Sequence, residues 1–153
     1  MIAVLQRVNN ALVYADGEFS GSIEKGLYIL LGVDKNDEKE DAELLCEKIS
    51  KLRIFCDGNG KMNLSVMDMD GEALVVSNFT LLANYRHGNR PDYFGAASPD
   101  KASMLYDYFV SLISKKLKKC ATGKFGADMR TEMSTDGPVT IVMDSLVLKE
   151  KKG

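Results

Sequence analysis

Residues Ile2 to Val33 read IAVLQRVNNALVYADGEFSGSIEKGLYILLGV, and this stretch decides the fold class. Ile2–Val8 and Ala11–Ala15 are apolar and partly β-branched, which favours strands. Asp16-Gly17 is a two-residue hairpin signal, and Glu18–Ile23 returns from it. Gly26–Val33 is a continuous apolar run, the pattern of a strand buried on both faces. Strands therefore come first. Beyond them Ala42, Leu45, Cys46 and Ile49 fall at helical spacing, with Asn36 or Asp37 predicted as N-cap. Arg53–Cys56 and Lys61–Ser65 flank a second hairpin at Asp57-Gly58-Asn59-Gly60, and Glu72–Ser77 is another strand. Ser98-Pro99 opens a second helix, with Ala102, Leu105, Phe109, Leu112 and Ile113 on its apolar face. Lys115, Lys116, Lys118 and Lys119 crowd its last turns, either as a solvated C-terminus or as phosphate contacts. Met129–Met133, a turn at Thr135-Asp136-Gly137 and a strand over Pro138–Leu148 close the chain. Many strands with two helices that do not alternate with them predict an α+β fold, an antiparallel-rich, barrel-like sheet with two main helices.

Length and composition narrow the function. The chain has 153 residues, 45% hydrophobic and 27% charged, which fits one domain over 1–153 with a frayed KEKKG end. Twenty Lys and Arg against 22 Asp and Glu leave a net charge of −2, so nucleic-acid binding by bulk charge is excluded and any such contact needs a local patch. The longest apolar run, Gly26–Val33, is far below the ~20 residues of a membrane span. The start, MIAVLQRV, lacks the basic segment and cleavage site of a signal peptide. Cys46, Cys56 and Cys120 form no CxxC pair, which predicts reduced thiols in a cytoplasmic protein. With His87 as the one histidine, no metal site is expected.

Three segments carry possible chemistry. Ser77-Asn78-Phe79-Thr80-Leu81 follows the strand EALVV. At a strand end backbone N–H groups come free and can point at an oxyanion. Thr80 is a candidate nucleophile, but no His or Asp stands near it in sequence to act as base. The plainer reading is a strand residue with a satisfied hydroxyl. Arg86-His87-Gly88-Asn89-Arg90-Pro91-Asp92-Tyr93 is either a phosphate-holding, base-stacking loop or an ordinary exposed one. Asp136-Gly137-Pro138-Val139-Thr140 alone reads as a turn. Gly123-Lys124-Phe125-Gly126 lacks P-loop spacing, so nucleoside-triphosphate binding is rejected.

Taken in order, MIAVLQRV, SNFTLLA, GNRPDY, TGKFGADM and DGPVTI closely resemble the D-aminoacyl-tRNA deacylase family, from Met1 to about Ser145. Two positions depart from its pattern. Asn78 stands where glutamine is usual, which leaves a backbone N–H there as the expected contact, and Thr135 stands where asparagine is common. The resemblance implies the family's fold and hydrolysis of the ester joining a D-amino acid to the tRNA 3′ end. It also implies a homodimer without cofactor. Ser77 and Thr80 then take the catalytic positions, Asn78, Phe79, Arg7 and Met129 the substrate-binding ones, and the Gly123-Lys124-Phe125-Gly126 stretch a place near the pocket wall. Gly137 and Pro138 match a Gly-cisPro pair that enters the partner's pocket and rejects L-residues. Two routes stay open, a threonine nucleophile and assistance by the RNA's own hydroxyl. The second is preferred because no general base is in sight. The alternative function is a non-catalytic tRNA-binding or editing-like module on the same fold.

Overall fold

The computed structural model describes residues 1–150. The last three residues of the KEKKG segment lie outside them. Strand β1 (Ile2–Ala15) is the spine. Its first half pairs antiparallel with β3 (Gly26–Gly32) and its second half with β2 (Glu18–Ile23), so β2 and β3 share one edge end to end. The other edge is taken along its length by β8 (Met129–Asp144). Beyond β3 lie β6 (Glu72–Ser77) and β7 (Cys120–Thr122), both parallel to their neighbours. The sheet is thus mixed. It curls until β2 meets β7, where the Ser20 hydroxyl donates to the Thr122 carbonyl at 2.8 Å. A short hairpin, β4 (Phe55–Cys56) and β5 (Met62–Leu64), stands apart.

Helices α1 (Lys39–Lys51) and α2 (Pro99–Ser114) cover one face. Leu45, Ile49, Leu105 and Phe109 pack there on Leu5, Ile29 and Val75. Truncating Phe109, which is fully buried, would cost about 3–5 kcal/mol. A smaller cluster of Val8, Val13, Tyr28, Leu74 and Val76 fills the other face, inside the curl.

Several boundaries differ from the sequence reading. The N-cap of α1 is Glu38, in a capping box with Asp41. Asp37 cannot serve there, because its carboxylate accepts from the Met1 ammonium at 2.7 Å and the Asp34 amide at 2.6 Å. Helix α2 stops at Ser114, so the four lysines follow it instead of forming its last turn. Lys116 pairs with Glu47 and Lys118 with Asp70. The turn expected at residues 135–137 is a bulge inside the long strand β8: residues 136–139 have no partner on β1, whose pairs on either side are Val8 with Thr135 and Gln6 with Thr140. It ends at Asp144, whose carboxylate caps a third short helix, α3 (Ser145–Lys149), where the strand had been expected to continue.

Candidate functional site

β6 leaves the sheet at Ser77 and turns into one 3-10 turn, Phe79–Leu82. Gly32 of β3 lies beneath it. A Cβ on Gly32 would stand 2.9 Å from the Asn78 carbonyl oxygen and 2.7 Å from Leu82, so only glycine lets the turn settle this close. The Asn78 amide donates to the Leu31 carbonyl at 2.9 Å, and its side-chain oxygen accepts from the Thr80 amide at 3.1 Å and the Thr80 hydroxyl at 2.5 Å. The backbone N–H expected to be free at position 78 is therefore spent. The amide of Phe79, next in the chain, takes no partner among the described residues. β7 also stops opposite Val75, which leaves that edge of Ser77 uncovered.

These residues open onto a cleft of about 710 Å³. Ser77, Asn78, Phe79 and Met129 line it, whereas Thr80 sits on the exposed side of the turn. Its walls also include Phe125 of the Gly123–Gly126 stretch and Tyr93 of the Arg86–Tyr93 loop, together with Tyr28, Tyr106 and Thr131, which the sequence reading had not assigned to a site. Tyr106 falls at helical spacing with Ala102 and Phe109, so its face was readable, although its hydroxyl reaches the Val75 carbonyl at 2.7 Å. The Tyr28 hydroxyl meets that of Thr131 at 3.0 Å. Burial raises the pKa of both tyrosines, so they stay neutral. A Cβ on Gly123 would stand 2.3 Å from the Met129 sulfur, so a larger residue there would displace that flexible side chain on the cleft wall.

No residue lining the cleft carries a formal charge. The site offers hydroxyls, one side-chain amide and a free backbone N–H, and neither carboxylate nor imidazole. It can orient a polar substrate and stabilise an oxyanion, but it has no group suited to take a proton near neutral pH.

Arg7, Gly137 and Pro138 form a separate group that lines no part of this cleft. Arg7 projects to the helix-covered face, where its guanidinium donates to the Ile54 carbonyl at 2.8 Å. It also donates to the Asp136 carbonyl at 3.2 Å and pairs with the Asp136 carboxylate at 3.2 Å. Gly137 and Pro138 are exposed, and the bond between them is cis. Gly137 has a φ of +124°, and a Cβ there would press on the Val139 amide at 2.9 Å.

A sequence model of the family described as D-Tyr-tRNA(Tyr) deacylase matches residues 4–144. A D-aminoacyl-tRNA deacylase of Thermosipho melanesiensis is 53% identical over 95% of this chain and 97% of its own. The chain belongs to the D-aminoacyl-tRNA deacylase family. Another deacylase of that name, from Dictyoglomus turgidum, is 47% identical over 99% of this chain and 97% of its own. A solved structure titled c-Myc DNA Unwinding Element Binding Protein superposes on the deacylase-family chain with a TM-score of 0.89 at 39% identity, covering 94% of this chain and 98% of that one. No helix among the described residues is long and apolar enough to cross a membrane.

Proposed function

We propose that the protein hydrolyses the ester of D-aminoacyl-tRNA, releasing free D-amino acid and tRNA, as chiral proofreading in the cytoplasm. The observation that carries this reading is the uncharged cleft. An aminoacyl ester is already activated, so positioning and oxyanion donors supply much of what its hydrolysis needs. The Phe79 amide and the Ser77 edge stand where a carbonyl oxygen can be received. The Thr80 hydroxyl is committed to the Asn78 side-chain oxygen, and an amide oxygen is no general base. The vicinal hydroxyl of the terminal ribose is therefore the group that assists the attacking water, and Thr80 is a positioning residue.

The molecule works as a homodimer, in which Gly137 and Pro138 of one protomer complete the other's cleft. Three observations support this. The pair is exposed and lines no cleft of its own chain. Arg7 holds the adjoining Asp136. β8, which carries the pair, has its outer edge unpaired among the described residues. A filter made of main chain rejects an L-residue by repulsion of its Cβ and reads no side-chain identity. Glycine has no side chain to reject, so glycyl-tRNA is cleaved to some extent.

Incubation of the purified protein with D- and L-tyrosyl-tRNA tests the reading. Rapid ester loss from the D form alone is expected. Comparable rates on both would overturn the chiral filter, and tRNA binding without ester loss would favour the non-catalytic module. Sedimentation should give twice the chain mass, and a fully active monomer would rule out the shared site.

A further inference from the structure

The loop after the 3-10 turn is pinned at its base and bare at its tip. Asn84 and Asp92 exchange backbone hydrogen bonds, at 2.8 Å from the Asn84 amide and 3.0 Å from the Asp92 amide. The Asn84 side chain accepts from the Arg86 amide at 3.1 Å, and that of Asp92 from the Phe94 amide at 3.3 Å. Despite this order, Tyr85 is 82% exposed and Phe94 84%, the two most exposed of the large hydrophobic side chains among the described residues. Two open aromatic rings flanking one short loop ask for a ligand.

The charges point to its chemistry. The chain has five arginines. The guanidinium groups of Arg7, Arg53 and Arg130 are held by carbonyl or carboxylate oxygens. Those of Arg86 and Arg90 make neither a hydrogen bond nor an ion pair among the described residues, and both are exposed. Asp92 is the one carboxylate within the loop, and it is turned toward Phe94. On a chain of net charge −2 this is a local cationic patch interleaved with aromatic rings, the composition that binds single-stranded nucleic acid.

The loop's position names the segment. Tyr93 lines the cleft, with its ring edge-on to Phe79 at 5.1 Å between centroids. A cleft of about 710 Å³ takes one aminoacyl nucleotide, so the strand leading to it must leave through the mouth, beside this loop.

We propose that the 84–94 loop is the platform for the unpaired nucleotides preceding the terminal adenosine of the tRNA acceptor end. Tyr85 and Phe94 stack their bases, and Arg86 and Arg90 hold their phosphates. The proposal rests on the tRNA-ester reading above and assigns a second, cleft-independent part of that substrate.

The test compares two substrates, D-tyrosyl-tRNA and 3′-D-tyrosyl-adenosine, which ends before the platform. For Y85S/F94S, kcat/KM on D-tyrosyl-tRNA should fall about tenfold or more, chiefly through KM. On the adenosine ester it should stay within about twofold of wild type. For R86Q/R90Q, the slope of log kcat/KM against log salt on the tRNA should flatten by about 1.4, the loss of two single-strand phosphate contacts. Sedimentation of both variants should match wild type. Equal losses on the two substrates, or none on the tRNA, would overturn the proposal. Equal losses with a reduced sedimenting mass would assign the loop to a second copy of the chain and overturn it likewise. A wild-type protein that cleaves neither substrate would remove the deacylase reading and the platform together.

Discussion

Two polar clusters stand at strand ends of this molecule, one charged and closed, the other neutral and open. In the first, the Asp41 carboxylate accepts from the Glu38 amide at 2.8 Å, the Ser145 hydroxyl at 2.6 Å and Lys149 at 2.9 Å. The Met1 ammonium donates to Ser145 at 2.8 Å and to Asp37 at 2.7 Å. Asp41 and Ser145 are fully buried, and the group ties α1 and α3 to the end of β1. In the second, Ser77, Asn78 and Thr80 are partly or fully exposed, carry no charge, and leave the Phe79 amide unused. A cluster that stabilises spends every donor and acceptor it has. A cluster that acts keeps at least one for a ligand.

The contrast breaks most sharply at Asp41. Asp41→Asn removes one partner from a buried, charged network, at a cost of about 3 kcal/mol. For a chain of this size that lowers Tm by roughly 6–12 °C. Calorimetry should show it, with kcat on D-tyrosyl-tRNA unchanged well below the transition. A melting point within a degree of wild type would mean that the closed cluster is not structural. Ala96→Phe, on the cleft wall, should do the reverse. About a hundredfold loss of kcat/KM is expected, with a change in Tm of no more than ~2 °C.

A pH series sharpens the first half. The Asp41 carboxyl is held down to about 2 by its amide, hydroxyl and lysine donors against the desolvation of burial, from an ordinary 3.8. Because its folded pKa is depressed, its contribution is present above pH ~4 and is lost as pH falls toward 2. Burial pushes Asp37 the other way, so that group favours the folded state at low pH and offsets part of the loss. The stability gap between wild type and Asp41→Asn should be about 2 kcal/mol wider at pH 7 than at pH 2. A constant gap would show that folding leaves the Asp41 pKa unshifted. The smallest change is Tyr28→Phe, which removes one hydroxyl contact from the cleft. It should shift stability by about 1 kcal/mol or less and kcat/KM by no more than about fivefold.

What the sequence disclosed follows from how local the chemistry is. Ser98 and Pro99 start α2 where their residue types place it, because a cap is decided within one turn. Glu72–Ser77 and the hairpin at Asp16-Gly17 were legible for the same reason. The cap of α1 was not, because Asp37 is claimed by the amino group of Met1, far away in the chain. The turn expected at Thr135-Asp136-Gly137 is a bulge and no chain reversal, because the residues on both sides of it pair with β1, a partner that no local pattern reveals. The site divides along the same line. Ser77, Asn78 and Phe79 were readable as a strand end, and Met129 and Phe125 through their motifs. Tyr28, Tyr106 and Thr131 reach the cleft from β3, α2 and β8, and only the curl of the sheet brings them together.

The central claim is that the open cluster has no base of its own and borrows a hydroxyl from its substrate. Single-turnover rates on two arms measure this directly. One is Thr80→Ala acting on ordinary D-tyrosyl-tRNA. The other is wild type acting on a tRNA charged at the 3′ position of a terminal 2′-deoxyadenosine. The account predicts the greater loss in the second arm, about a hundredfold or more, against about tenfold or less for Thr80→Ala. Near-complete loss in Thr80→Ala, with the deoxy substrate cleaved at the normal rate, would contradict it and make Thr80 the nucleophile.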